Sequence, residues 1–162
     1  MMDKTARYFD KAIKEIAKLN NPDEIKILDF GCGGGNLSQC LNELGYDVYG
    51  CDVYSTCARK PEVNLKKIRI IEKNPYHFPF DDNNFDIIVS TSVLEHAQNT
   101  EEIFQETHRV LKNNGYGLFT VPFFWQLHAE PYDYFRFTEF GIKKLFEGKV
   151  FNIIKIKPIE NN

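Results

Sequence analysis

The chain has 162 residues, 43% hydrophobic and 27% charged, with a net charge of −3 and a pI near 5.8. That length supports one hydrophobic core rather than two, so a single domain over residues 1–162 is expected. Basic residues never run beyond pairs such as Lys66-Lys67 and Lys143-Lys144, which leaves no basic face for neutralising phosphates and disfavours nucleic acid as a partner.

The opening MMDKTARYFDKAI lacks an apolar run of signal-peptide length, and no stretch elsewhere is long and apolar enough to span a membrane, so a cytoplasmic protein is expected. Ala6, Phe9, Ile13, Ile16 and Ala17 recur at helical spacing within residues 3–19, an N-terminal amphipathic helix that Asn20-Asn21-Pro22 ends. Ile25–Phe30 is a continuous apolar strand that opens into a glycine turn. Asn36 is placed to cap the next helix, whose inner face is Leu37, Cys40, Leu41 and Leu44, and Gly45 is placed to stop it.

Tyr46–Asp52 follows as a strand, then an irregular segment over 53–64, then Lys67–Glu72 as a third strand. FDIIVS, Phe85–Ser90, is the most apolar run and the expected central strand. Thr100, Glu101 and Glu102 open a helix through Leu111, which Asn113-Asn114-Gly115 ends; Tyr116–Val121 is a fifth strand, Thr138–Phe146 a last helix and Val150–Lys157 a last strand. The alternation predicts an α/β fold: a Rossmann-like, doubly wound, mostly parallel sheet with helices on both faces and ligand at the strands' carboxyl ends.

Cysteines 32, 40, 51 and 57 form neither a CxxC pair nor a zinc-ribbon spacing, so reduced, unliganded thiols are expected. No clustered His/Asp/Glu metal site is visible along the chain, and none is expected.

The glycine turn carries the chemistry. ILDFGCGGG spaces Asp29, Gly31, Gly33 and Gly35 as D-x-G-x-G-x-G, whereas a dinucleotide turn is GxGxxG and would need glycine where Asn36 stands. A carboxylate at this strand end repels a pyrophosphate but suits a ligand that is cationic there. S-adenosylmethionine is such a ligand, because its sulfonium and ammonium lie over this turn without phosphate. Asp52 ends the second strand, where one carboxylate can accept from both hydroxyls of a ribose.

ILDFGCGGG, VYGCDV and FPFDDNNFDIIVSTSVLEHAQNTEEIFQETHRVLKNNGYGLFTVP together resemble the class I S-adenosylmethionine-dependent methyltransferases, in particular their type 11 small-molecule branch, over about residues 25–122. The resemblance implies that Asp29, Gly31, Cys32, Gly33 and Gly35 contact or shape the methionyl end, that Asp52 takes the ribose and Val53 lies against the adenine, and that Ser90 joins them from the fourth strand. In that family an acid after the third strand accepts from the adenine amino group, and the next backbone N–H meets a ring nitrogen. Counting back from FPF puts Asn74 and Pro75 in those places, and Pro75 has no N–H; either recognition shifts to the Tyr76 amide or the correspondence slips by a residue. The demethylated product, S-adenosylhomocysteine, is expected to bind as well.

His96, in LEHA, stands where the resembled family has a Glu-His pair; it is placed on the acceptor side, with holding the loop, capping the next helix and catalysis all open to it. His77 and His108 are expected to be ordinary loop and helix residues. The segment PFFWQLHAEPYDYFRFTEFG, spanning the aromatic stretch 123–141, follows the fifth strand on the edge where acceptors enter this fold. One reading is an aromatic lid with Asp133 and Arg136 paired; the favoured one is an acceptor pocket with His128 as general base and Tyr132, Asp133 and Arg136 as acceptor-binding groups. Its HxxPxDYxRxT pattern resembles a subset of bacterial methyltransferases associated with glycan or surface-polymer synthesis. The expected reaction is therefore methyl transfer to an oxygen or nitrogen of a small-molecule or glycan-type acceptor.

The resembled sheet usually has seven strands ending in an antiparallel hairpin, but VFNIIKIKP supplies one strand after the last helix. Either a final strand is missing or the fold ends short, and an open C-terminal sheet edge would allow a homo-oligomer. That edge keeps a second reading: a non-catalytic, methyltransferase-like subunit acting through a protein partner. A nicotinamide-dependent oxidoreductase fails on the GxGxxG mismatch and on Asp29.

Overall fold

KILDF and FDIIVST lie side by side at the centre of a parallel sheet, with Ile27 paired to Ile87 and Phe30 to Ser90. The computed structural model describes residues 4–17, 21–53, 67–72, 75–149 and 151–159. Its strands are β1 (Lys26–Phe30), β2 (Asp47–Val53), β3 (Ile68–Ile71), β4 (Phe85–Thr91) and β5 (Leu111–Thr120), in the order β3-β2-β1-β4-β5. Helices α1 (Lys4–Ala17), α2 (Asn36–Glu43), α3 (Thr100–Val110) and α4 (Glu139–Phe146) accompany them.

Ile27, Leu28, Phe30, Ile87, Ile88 and Val89 of the central strands are all buried because both faces are covered. On one face Phe9 and Ile13 of α1 and Leu41 of α2 pack on Ile27, Val48, Ile87 and Val89. On the other, Ile103 and Phe104 of α3 pack with Phe78 on Leu28, Phe30 and Ile88. Strand order reverses between β1 and β4, and that switch point opens a crevice beyond the carboxyl ends. The doubly wound α/β expectation is met.

Several local expectations are corrected. Gly35, at φ 79°, is the N-cap of α2, so Asn36 is its first helical residue and not its cap. Thr100 opens α3 as expected, with Asn99 as its cap, the Asn99 side chain accepting from the Glu101 and Glu102 N–H groups. The Asn113-Asn114-Gly115 turn does not end that helix. It forms a bulge inside β5, where the register jumps from Phe85↔Leu111 to Ile87↔Tyr116 and Asn114 takes φ 63°.

The strand expected over 150–157 is not formed among the described residues, which exclude Val150. Phe151 is drawn instead onto α3, 6.3 Å from the Phe104 ring and 6.0 Å from His108, and Lys157 lies over the Tyr8 ring of α1. β5 is therefore the last strand on its side of the described sheet.

Candidate cofactor and acceptor site

Two carboxylates organise the crevice at the carboxyl ends of β1 and β2. Asp52 Oδ2 accepts from the Gly33 N–H and Oδ1 from the Val53 N–H, both at 2.6 Å, so one side chain fixes the glycine turn against β2. The Gly31 N–H donates to Cys51 O at 2.8 Å and adds a second tie between turn and strand. Asp29, buried at the end of β1, accepts from Ser38 Oγ of α2 at 2.6 Å. Burial pushes its carboxyl up to about 7, with the Asp52 charge adding and the Ser38 hydroxyl opposing.

The turn needs glycine where its backbone is left-handed and crowded. Gly31 has φ +74°, and a Cβ there would lie 2.1 Å from Val93 Cγ2, in the segment after β4. At Gly33 (φ +53°) nothing lies within 4 Å of the corresponding point, so that face of the turn is open. Cys32 is buried toward β2: a Cβ on Gly50 would meet its Sγ at 2.9 Å. It shapes the turn from behind. Ser90 Oγ and Thr91 Oγ1, at the carboxyl end of β4, are buried without a hydrogen-bond partner among the described residues.

The FPF loop between β3 and β4 is held by Arg109 of α3. Its guanidinium donates to Phe78 O at 2.7 Å, Phe80 O at 2.8 Å and both carboxylate oxygens of Glu106. Burial opposes ionisation of Glu106, but Arg109 and the Phe78 N–H outweigh it and hold that carboxyl below its usual value. The Tyr76 N–H donates to Glu102 Oε2 at 3.1 Å, and its ring packs on Phe30. The Tyr76 amide expected to meet the adenine is thus already engaged by a carboxylate. Pro75 is exposed beside it, and Asn74 lies outside the described residues.

Across the crevice, the aromatic segment folds back onto the turn Leu94–His96 that follows β4. The N–H groups of Tyr134 and Phe135 donate to Glu95 O at 2.9 and 3.2 Å. His96 Nδ1 meets Tyr132 O at 2.8 Å, and its Nε2 lies 3.1 Å from His128 Nε2. His128 Nδ1 faces Gln126 O at 3.2 Å and Asp133 Oδ2 at 3.3 Å. Glu95 Oε1 stands 3.8 Å from the His96 Nε2 and 3.9 Å from the His128 Nε2. The Glu95 side chain is fully buried, and neither of its oxygens has a hydrogen-bond partner among the described residues. Burial raises its pKa against the pull of its own backbone N–H and of His96, His128 and Arg136.

Asp133 and Arg136 form a two-pronged pair, at 2.6 and 2.7 Å. The Asp133 side chain is 2% exposed and also accepts the His128 N–H, while Arg136 reaches Gln126 O. Arg136 thereby holds the Asp133 carboxyl far below the ordinary carboxylate range. Their polar atoms are committed to one another and to the loop backbone, the pairing that the first of the two sequence readings describes. Tyr132 is 49% exposed. His77 pairs with Glu106, and His108 packs on Phe151, both outside the crevice.

The expectation that no His/Asp/Glu cluster exists is also overturned, since Glu95, His96 and His128 bring one ligand atom each within 4.8 Å of one another. The sequence shows LEH as a tripeptide, but the third member lies 32 residues further on, and only chain return supplies it. Ser38, Val93 and Arg109 were likewise missed, because the first two act through contacts between elements. Arg109 had one visible signal, its place in the RVL motif.

A family model described as "Methyltransferase domain" matches residues 28–119, more than half of the chain, and spans the glycine turn, β4 and α3. The chain belongs to this methyltransferase family. It is 30% identical over 122 residues to a ubiquinone biosynthesis O-methyltransferase of Pelagibacter ubique, covering 67% of this chain and 48% of the relative. It is 26% identical to a sarcosine/dimethylglycine N-methyltransferase of Aphanothece halophytica, over 70% of this chain and 46% of the relative. The chain spans about half the length of these curated relatives. Among solved structures, a SAM dependent methyltransferase from Aquifex aeolicus superposes with a TM-score of 0.64 at 21% identity, over 85% of this chain and 76% of that one, a likeness of fold. Among the described residues no helix is long and apolar enough to cross a membrane.

Proposed function

We propose that the carboxyl edge of the sheet binds S-adenosylmethionine and that the domain moves its methyl group to an oxygen or nitrogen of a small-molecule or glycan-type acceptor. The observation that carries this reading is the Asp52 carboxylate joining β2 to an open glycine turn. Each oxygen accepts one backbone N–H and keeps lone-pair capacity for a ribose hydroxyl. Asp29 offers a carboxyl to the cationic methionyl end, and the orphan hydroxyls of Ser90 and Thr91 offer polar partners that a dry crevice would not need. Gly31, Gly33, Gly35 and Cys32 shape the turn, with Val53, Pro75 and Tyr76 toward the adenine.

The cofactor supplies a methyl group already activated on a sulfonium. What remains for the protein is to align the acceptor, exclude water and take up the acceptor's proton. His128, a third exposed, is the proposed group at which that proton is lost; His96 and Tyr132 line the same side. O-methyltransferase and N-methyltransferase relatives support both acceptor atoms.

Calorimetry with S-adenosylmethionine and S-adenosylhomocysteine tests the reading: saturable binding of both is expected, and binding of neither overturns it. Labelled-methyl uptake across a panel of sugars, small acids and amines then identifies the acceptor. The position of β5 at the end of the described sheet supports a homo-oligomer through that edge, which sedimentation would reveal.

A further inference from the structure

We propose that Glu95, His96 and His128 form a binding site for one divalent transition metal ion of the zinc class, with a coordination position left for an oxygen or nitrogen donor of the acceptor. The argument starts from protons. His96 Nδ1 faces a carbonyl, Tyr132 O at 2.8 Å, and His128 Nδ1 faces two acceptors, Gln126 O and Asp133 Oδ2. Carbonyl and carboxylate oxygens only accept, so both rings carry their proton on Nδ1 and turn a lone pair outward from Nε2. Those two lone pairs converge at 3.1 Å, and two neutral imidazoles so arranged repel unless a cation lies between them.

The third group has the matching charge. Glu95 is fully buried, its two oxygens lack hydrogen-bond partners among the described residues, and it stands 3.8 and 3.9 Å from the two Nε2 atoms. A buried carboxylate without partners is costly to keep, and a shared cation removes that cost. The spacing fits a tetrahedral ion: metal–nitrogen bonds of about 2.0–2.1 Å place two imidazole nitrogens about 3.3 Å apart. The carboxylate oxygen would close by about half an ångström to complete the set.

The surroundings are those of a metal site. Imidazole ligands usually donate their second N–H to a carbonyl or carboxylate, which fixes ring orientation and strengthens the ligand. Tyr132 O does this for His96 and Gln126 O for His128, while Asp133, itself held by the Arg136 fork, lies 3.3 Å from the same His128 Nδ1 and accepts the His128 backbone N–H. Two nitrogens and one oxygen leave a coordination position, and the rings are 22% and 32% exposed, so a ligand can reach it. A coordinated hydroxyl loses its proton more readily, which is what methyl transfer to oxygen requires; with the ion on His128 Nε2 that proton passes to solvent, and His128 acts as the base only in the metal-free site. Metal binding stands on the cluster alone; its use on an acceptor rests on the methyl-transfer reading above.

The test is titration of the chelator-treated full chain with Zn²⁺ by calorimetry and with Co²⁺ by visible absorption. One ion per chain with tetrahedral Co²⁺ bands is expected, weakened at least about tenfold in His96→Gln, His128→Gln and Glu95→Gln, and unchanged in His77→Gln and His108→Gln. S-adenosylhomocysteine binding in each variant reports that it is folded; should Glu95→Gln fail there, the two histidine variants carry the test. Asp52→Ala should lose S-adenosylhomocysteine and keep Co²⁺, which separates failure of the metal site from failure of the cofactor reading. No saturable uptake, or equal uptake in His96→Gln and His128→Gln, would mean that the cluster shares a proton only and would overturn the proposal.

Discussion

The Gly33 N–H donates to Asp52 Oδ2 at 2.6 Å, so the residue proposed to hold the cofactor's ribose also builds the turn proposed to receive its methionyl end. Asp52→Asn keeps the size but loses the charge, and its amide can accept through one atom where the carboxylate uses both. Charged hydrogen bonds contribute about 1.5–3 kcal/mol, so S-adenosylhomocysteine affinity should fall roughly ten- to hundredfold by calorimetry. Unchanged affinity would remove Asp52 from the site.

Asp29 gives the site a pH dependence of known sign. Its carboxyl is pushed up to about 7 by burial and by Asp52, so between the ordinary carboxylate range and about pH 7 the native chain holds a proton that the unfolded chain has lost. Stability of the free protein should therefore fall as pH rises through that window and level off above it. A cationic ligand favours the ionised carboxyl, so affinity for S-adenosylmethionine should rise with pH over the same window, by at most roughly tenfold per unit. Asp29→Asn should flatten both profiles.

Gly31→Ala places a Cβ 2.1 Å from Val93 Cγ2 at a φ of +74°. Left-handed strain and overpacking together should cost about 2–4 kcal/mol in denaturant unfolding. Adding Val93→Ala should recover part of that loss, because it removes the collision and leaves the backbone strain. No recovery would show that the contact is not the cause.

Arg109→Ala removes the donors to Phe78 O and Phe80 O and leaves Glu106, 14% exposed, without its guanidinium, with the Phe78 N–H and His77 still beside it. A stability loss of about 2–3 kcal/mol is expected. Arg109→Lys should recover less than half, since an ammonium cannot span two carbonyls and a carboxylate in one plane.

Asp133→Ala unties His128 and Arg136 together. Limited proteolysis within 123–136 should accelerate about tenfold, while S-adenosylhomocysteine binding stays near the parent value. Equal proteolysis rates would show that the loop is held by its aromatics instead.

How much of this was legible follows from the kind of interaction involved. Runs such as KILDF and FDIIVST announce strands buried on both faces, and α1 and α2 show their inner faces by helical spacing, because burial imposes a local period. The glycine turn was equally legible, since a left-handed φ restricts residue type at single positions. VFNIIKIKP misled: its pattern suits a strand, but an isolated segment becomes one only beside a partner, and Phe151 packs on α3 instead.

The sequence by itself determined the layered α/β fold and the glycine turn of the proposed cofactor site, because those depend on residue type and spacing within a few turns of chain. Tertiary structure decided the arrangement of the histidine loop. Whether Asp133 and Arg136 face a ligand or each other, and whether His128 stands alone or against His96 and Glu95, depends on how a loop 32 residues away folds back onto the end of β4. No local period encodes that return; backbone hydrogen bonds from Tyr134 and Phe135 to Glu95 O fix it once the sheet exists.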